Sequence, residues 1–279
     1  QQAAHADEKQ RNAARLELAR FHFSHGLAAE ALGQLNMIAQ DSEAEAARPS
    51  FRALRGASTL LLHQLDEAEP ELFHASLDAD REAALWRAAW HAERGDWKAA
   101  ASEFERAWRP VATYPKWLQQ KFGLLAAEAA LNASQTGNAA AYLDFVTATS
   151  PSGSINARLR VQRGRLLAHE GATDQALTMW EQVIKSGDRM ATTQASLARI
   201  RLLLQLKRME FADAIEALEK LRFVWRGDRL EFDLLELLAT TYLHRGDYWN
   251  GLSTMRETVA LFTEAENTAP VSERMVQVF

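Results

Sequence analysis

The sequence predicts an all-α protein made of repeated helical hairpins. Three observations carry this reading. Helix breakers are scarce, with 13 glycines and 6 prolines in 279 residues, while Ala, Leu, Glu and Arg, which lose little on entering a helix, abound. Most of these breakers fall between apolar-periodic segments rather than inside them. One pattern recurs every 32 to 41 residues: a helix with a small residue, a turn, then a second helix with a small residue followed by a large apolar one.

Taken in order, the periodic segments run over about 8–25, 28–40, 50–63, 66–76, 81–94, 97–108, 115–135, 138–148, 155–170, 173–185, 190–208, 211–223, 229–245 and 248–265. Between them stand Gly26, Pro49, Gly95, Pro110, Pro115, Gly137, Pro151-Ser152-Gly153, Gly171, Gly187, Gly227 and Gly246. Asp96, Asp188, Asp228 and Asp247 are candidate N-caps or turn residues, because a short carboxylate can accept from the free N–H groups of a helix start. Thr147–Ser154 is the most loop-like stretch. Residues 270–279 read as the first turns of a further helix.

The repeat is clearest in Val161–Trp180, Leu237–Leu252 and Trp90–Phe104. Aligning the small residue of each second helix gives Ala31, Ala68, Ala100, Ala141, Ala176, Ala214 and Gly251. The matching first-helix position is Ala19, Gly56, Ala88, Ala129, Gly164, Leu202 and Ala239. The large residue four places on is Leu35, Leu72, Phe104, Phe145, Trp180, Leu218 and Met255. Small residues let two helices approach, and the bulky one fills the gap to the next hairpin. The sixth unit departs most, with Leu202 at the small position and Lys207-Arg208-Met209-Glu210 where a turn glycine belongs. On these residues the chain resembles the tetratricopeptide repeat family.

That resemblance implies a right-handed α-solenoid of about seven hairpins, with units at about 8–48, 49–80, 81–114, 115–154, 155–189, 190–228 and 229–266, and 267–279 starting another helix. A hairpin of this kind cannot bury its own apolar face, so units stack, and residues 1–279 are expected to form one repeat domain. The start lacks an initiator Met and the basic and apolar regions of a signal peptide. Together with the helix begun at the other end, this predicts a fragment or processed product of a longer repeat protein.

Composition excludes several classes of function. Hydrophobic residues at 47% and charged ones at 25% exclude a disordered chain. A net charge of −5 disfavours a general nucleic-acid coat, whose affinity comes from neutralising phosphates. The absence of cysteine excludes disulfides, thiolate catalysis and Cys-based zinc sites, and leaves the compartment open between cytoplasm and periplasm. No apolar run is long enough to span a bilayer.

Signs of catalysis are lacking. There is no phosphate-cradling glycine loop, no HExxH and no nucleophile elbow. His22 and His25, one turn apart, need further ligands to hold a metal. His63, His91, His169 and His244 stand near first-helix ends, where a cation suits the helix dipole. The carboxylates Glu67, Glu69 and Glu71 read as a solvated face. Trp97 and Trp180 fall at packing positions, while Trp86 and Trp90 are left open. We therefore expect no enzyme, no cofactor and no metal.

The resemblance further implies a concave face lined by first helices. Carried over position by position, that face includes Arg20, Phe23 and Ser24 in the first unit, and Ala57, Leu60, Leu85 and Ala89 in the next two. Arg158, Arg165 and His169 follow in the fifth, and Arg199 and Lys207 in the sixth. The first three units offer an apolar wall. The fifth and sixth gather four cations that suit an acidic peptide, unless they pair with neighbouring glutamates or lie over apolar walls. The family's two-carboxylate clamp needs Lys at a position that here reads Leu16, Ala53, Leu85, Ala126, Val161, Arg199 and Glu236, so that clamp is absent. The expected function is a scaffold or adaptor holding a protein or peptide in the groove. The alternatives are self-association through exposed terminal repeats, or an appendage regulating an enzyme on another part of a longer chain.

Overall fold

A computed structural model describes residues 2–227, 229–262 and 268–277, with side chains from residue 10 onward. Among the described residues there are sixteen α-helices, two short 3₁₀ turns and no strand. In order they are α1 (Gln2–Ser24), α2 (Ala28–Asp41), α3 (Glu43–Ala46), α4 (Pro49–Leu61), α5 (Leu65–Leu72), α6 (Arg81–Arg94), α7 (Trp97–Ala107), α8 (Lys116–Asn132), α9 (Thr136–Ala148), α10 (Gly153–His169), α11 (Thr173–Lys185), α12 (Arg189–Gln205), α13 (Phe211–Arg222), α14 (Arg229–Arg245), α15 (Tyr248–Leu261) and α16 (Thr268–Gln277). The 3₁₀ turns are Ala75–Leu77 and Arg109–Thr113. Apart from α3 and α16, the helices pair as consecutive hairpins. Sequence reading missed α3, which Ser42 caps by accepting from the Glu45 N–H at 3.3 Å.

Each hairpin turns through one left-handed residue: Gly26, His63, Gly95, Ser134, Gly171, Lys207 and Gly246, with φ between 54 and 86°. The following amide always reaches back to the carbonyl five residues before it: Leu27 to His22, Gln64 to Thr59, Asp96 to His91, Gln135 to Ala130, Ala172 to Leu167, Arg208 to Leu203 and Asp247 to Tyr242, at 2.7–3.2 Å. This is the Schellman closure, which satisfies carbonyls that the helix end leaves free. His63, Ser134 and Lys207 hold it without glycine.

Counting from these turns fixes the register. The residue seven before each turn is Ala19, Gly56, Ala88, Ala127, Gly164, Ile200 and Ala239, all buried. The second helices present Ala31, Ala68, Ala100, Ala139, Ala176, Ala214 and Gly251, then Leu35, Leu72, Phe104, Leu143, Trp180, Leu218 and Met255, again all buried. This corrects the expected register twice. In the fourth hairpin Ala127, Ala139 and Leu143 take the places assigned to Ala129, Ala141 and Phe145. In the sixth, α13 starts four residues after its turn residue where the other second helices start two after theirs. Ile200 therefore stands where Leu202 was expected. Ile200 packs with Ala214 and Leu218 of its own hairpin, whereas Leu202 packs back against Val161 and Trp180.

Three of the four aspartates expected to cap do so: Asp96, Asp188 and Asp247 accept from the amides of Ala99 (3.2 Å), Ala191 (2.8 Å) and Asn250 (3.2 Å). Asp228 lies outside the described residues. The chain divides into two compact units, Gln1–Ala92 with Asp96–Ala129, and Glu93–Gly95 with Ala130–Phe279. The first has a core around Ala19, Leu35, Ile38 and Phe51. The second is built on Trp180 with Val161 and Val183, on Leu218 with Leu234 and Leu238, and on Phe232 with Met255 and Val271 of α16.

Candidate functional site

In the first unit the expected apolar wall is used by the protein itself. Phe23 on α1 meets Trp86 of α6 edge-on, with ring centroids 5.7 Å apart. Trp86 is buried, lies edge-on to Phe122 at 4.8 Å and donates through Nε1 to the Tyr114 hydroxyl at 3.2 Å. Trp117 of α8 donates from Nε1 to the Ser24 carbonyl at 2.9 Å. The first helices of hairpins one, three and four are thus joined directly through aromatic side chains. Ala57, Leu60, Leu85 and Ala89, expected to line an open groove, are all buried. Burial and the charge of Glu82 push the Tyr114 hydroxyl well above its usual range, so it stays protonated as a packing group. Arg20 remains exposed and pairs with Glu17 on its own helix at 2.7 Å. Trp90, like Trp86, is buried structure: its Nε1 donates to the Leu65 carbonyl at 3.0 Å. His25 bonds locally to the Phe21 carbonyl at 2.8 Å.

The second unit differs. Helices α10 and α12 together carry seven arginines and not one carboxylate. Their neighbours satisfy some of these cations. Arg163 donates to Asp144 Oδ1 (2.7 Å) and Thr147 Oγ1 (2.9 Å) of α9. Arg160 donates to the Gln182 side chain, and Arg189 donates from Nε to the Val224 carbonyl at 3.0 Å. The turn-based register makes Arg199 the counterpart of Arg163. Arg199 accordingly acts on Glu181 of α11, helping to lower a carboxyl that is held mainly by Lys185.

The counterpart of Arg165 is Arg201, which alignment of small residues did not single out. Arg158, Arg165 and His169 lie at i, i+7 and i+11 on α10 and so share one side of that helix. Arg165 donates to the amide oxygens of Gln162 and Asn132, both at 3.1 Å. Among the described residues, Arg158, Arg201 and Lys207 have no hydrogen-bonding or ionic side-chain partner. His169 titrates below the usual imidazole range, first because of partial burial and then because of the charge of Arg165. Of the expected sites, the structure brings together Arg158, Arg165 and His169 and leaves exposed Lys207 at the neighbouring turn. It directs Arg199 toward α11 and occupies Phe23 in packing. A count back from each turn residue, instead of an alignment of small residues, is the signal that finds Arg201.

No protein-family profile matches the chain, and no curated protein matches it in sequence. Solved structures do match in fold. A tetratricopeptide repeat protein from Parabacteroides merdae aligns with a TM-score of 0.63 at 14% identity, covering 96% of this chain and 99% of that one. A chain of the APC/C hetero-tetramer Cut9–Hcn1 aligns with a TM-score of 0.52 at 15% identity, covering 89% of this chain and 48% of that one, about half its length. With its paired helices, its Schellman turns and these matches, the chain has the tetratricopeptide repeat fold.

Proposed function

We propose that the chain is a non-catalytic scaffold that holds an acidic segment of a partner protein against the α10–α12 face of its second unit. The observation that carries this is the run of seven arginines without a carboxylate on two successive first helices, with Arg158 and Arg201 lacking partners among the described residues. Uncompensated guanidinium groups on a packed frame favour carboxylates, which they can grip bidentately. The helices that carry them are packed before the partner arrives, so binding costs the receptor little backbone ordering entropy. The overall charge of −5 favours a short acidic segment over a long polyanion. The first unit, its aromatic side chains already packed on one another, serves as frame in this reading.

The test is fluorescence anisotropy with a labelled glutamate-rich peptide. The double variant Arg165→Glu and Arg201→Glu is expected to lose binding at least about tenfold, with its thermal unfolding unchanged. Arg199→Glu, on the α11 side, is expected to bind as the parent does. Unaltered affinity in the double variant removes the proposal.

A further inference from the structure

The second unit carries exposed aromatic side chains at two of its hairpin turns. Trp249 is 77% exposed and Tyr248 59%, both in the first turn of α15. Phe211, which opens α13, is 39% exposed and stacks on His244 at the end of α14, with centroids 5.9 Å apart and planes 15° from parallel. Four large rings thus stand at the hairpin turns of units six and seven. The same first positions of second helices hold Ala28, Leu65, Thr136 and Thr173 elsewhere, with only Trp97 aromatic.

In chain order these rings follow the arginine-bearing helices. The polar side chains of this side of α10 run from the cations Arg158 and Arg165 to His169 toward the turn end of the helix. Lys207 stands at the next such turn, and Phe211 follows four residues on. Charge changes along this path. Exposed Glu210 and Asp213 flank Phe211, and the Asp247 carboxylate is engaged with the Asn250 amide. An acidic side chain of a partner is drawn more strongly to α10 and α12 than to these carboxylates, whereas an uncharged ring meets no charge repulsion beside them. Exposed aromatic rings with little rotamer freedom are the side chains on which interface affinity usually concentrates.

Resting on the acidic-segment reading above, we infer that the partner segment is bipartite. Its acidic residues meet Arg158, Arg165 and Arg201, and a neighbouring aromatic side chain packs on the rings of Phe211, His244 and Trp249. The experiment compares three labelled glutamate-rich peptides: one without an aromatic residue, one with tryptophan at its N-terminal end and one with tryptophan at its C-terminal end. One tryptophan-bearing peptide is expected to bind at least about tenfold tighter than the plain one. Trp249→Ala, at a position too exposed to hold the fold, should erase that gain while leaving the plain peptide's affinity unchanged, and Phe211→Ala should do the same. Equal affinities for all three peptides, or a gain that survives Trp249→Ala, overturns the bipartite segment and leaves the acidic reading standing. No binding of any peptide overturns both.

Discussion

A Cβ added to Gly164 would lie 2.3 Å from Nε1 of Trp180, the indole that donates to the Val161 carbonyl at 3.1 Å. The closest approach of the fifth hairpin's two helices is therefore set by the missing side chain of Gly164. The ring is 2% exposed and bonded in place, so it has nowhere to move. Gly164→Ala should destabilise the protein by about 1–3 kcal/mol, the usual cost of overpacking, even after the gain in helix propensity. Gly33→Ala, where nothing lies within 4 Å of the new methyl, should stabilise by about 0.5–1 kcal/mol. Urea titrations of both variants check the pair, and equal effects would refute the packing account.

The turn at Ser134 adopts φ 59° without glycine. A side chain there meets the crowding that makes the left-handed region costly for L-residues. Ser134→Gly should stabilise by about 0.5–1 kcal/mol, and Gly171→Ala, at φ 83°, should cost about as much. Denaturant midpoints measure both.

Trp117→Phe keeps an aromatic ring but loses part of the indole's volume and the N–H that reaches the Ser24 carbonyl. The expected loss is at least about 1 kcal/mol, the net value of one such bond, with lost packing in addition. Hydrogen exchange should quicken at the C-terminal turns of α1 before it does elsewhere. Uniform quickening would argue against a local anchor.

His169 carries a pH signature. Its folded-state titration lies below the unfolded value, so the folded form favours the neutral ring and the unfolded form takes up the proton first. Its contribution to stability is thus complete above about pH 6.5 and declines as pH falls through that value toward the folded one. His169→Gln should flatten the loss of stability on acidification. In NMR titrations, Arg165→Gln should raise the His169 pKa while leaving it below the usual imidazole range, because burial contributes more than the arginine. An unchanged titration would separate the two side chains.

Much of the hairpin pattern was legible because its causes are local. Turn glycines, capping aspartates and small residues facing bulky ones leave marks within a few residues of one another. Register was less legible where the local marks were degenerate. In α8, Ala126, Ala127, Ala129 and Ala130 all offer a small residue, and in α9 so do Ala139, Ala140 and Ala141. Only the position of the turn selects Ala127 and Ala139. In the sixth hairpin a longer turn and the bulky Ile200 hid the same count, which sent the expected cation to Arg199 and left Arg201 unnoticed.

By itself the sequence determined that this chain forms helices, where they break and that they pair as hairpins, since i to i−4 bonding, caps and turn dihedrals depend on near neighbours. Tertiary structure decided which faces stay open. The packing of Phe23 against Trp86, and the burial of Leu85 and Ala89 in the expected groove, depend on how one hairpin rotates against the next. That rotation accumulates over many residues, and its outcome is a contact such as Trp117 with Ser24, for which no local pattern in the sequence provides a sign.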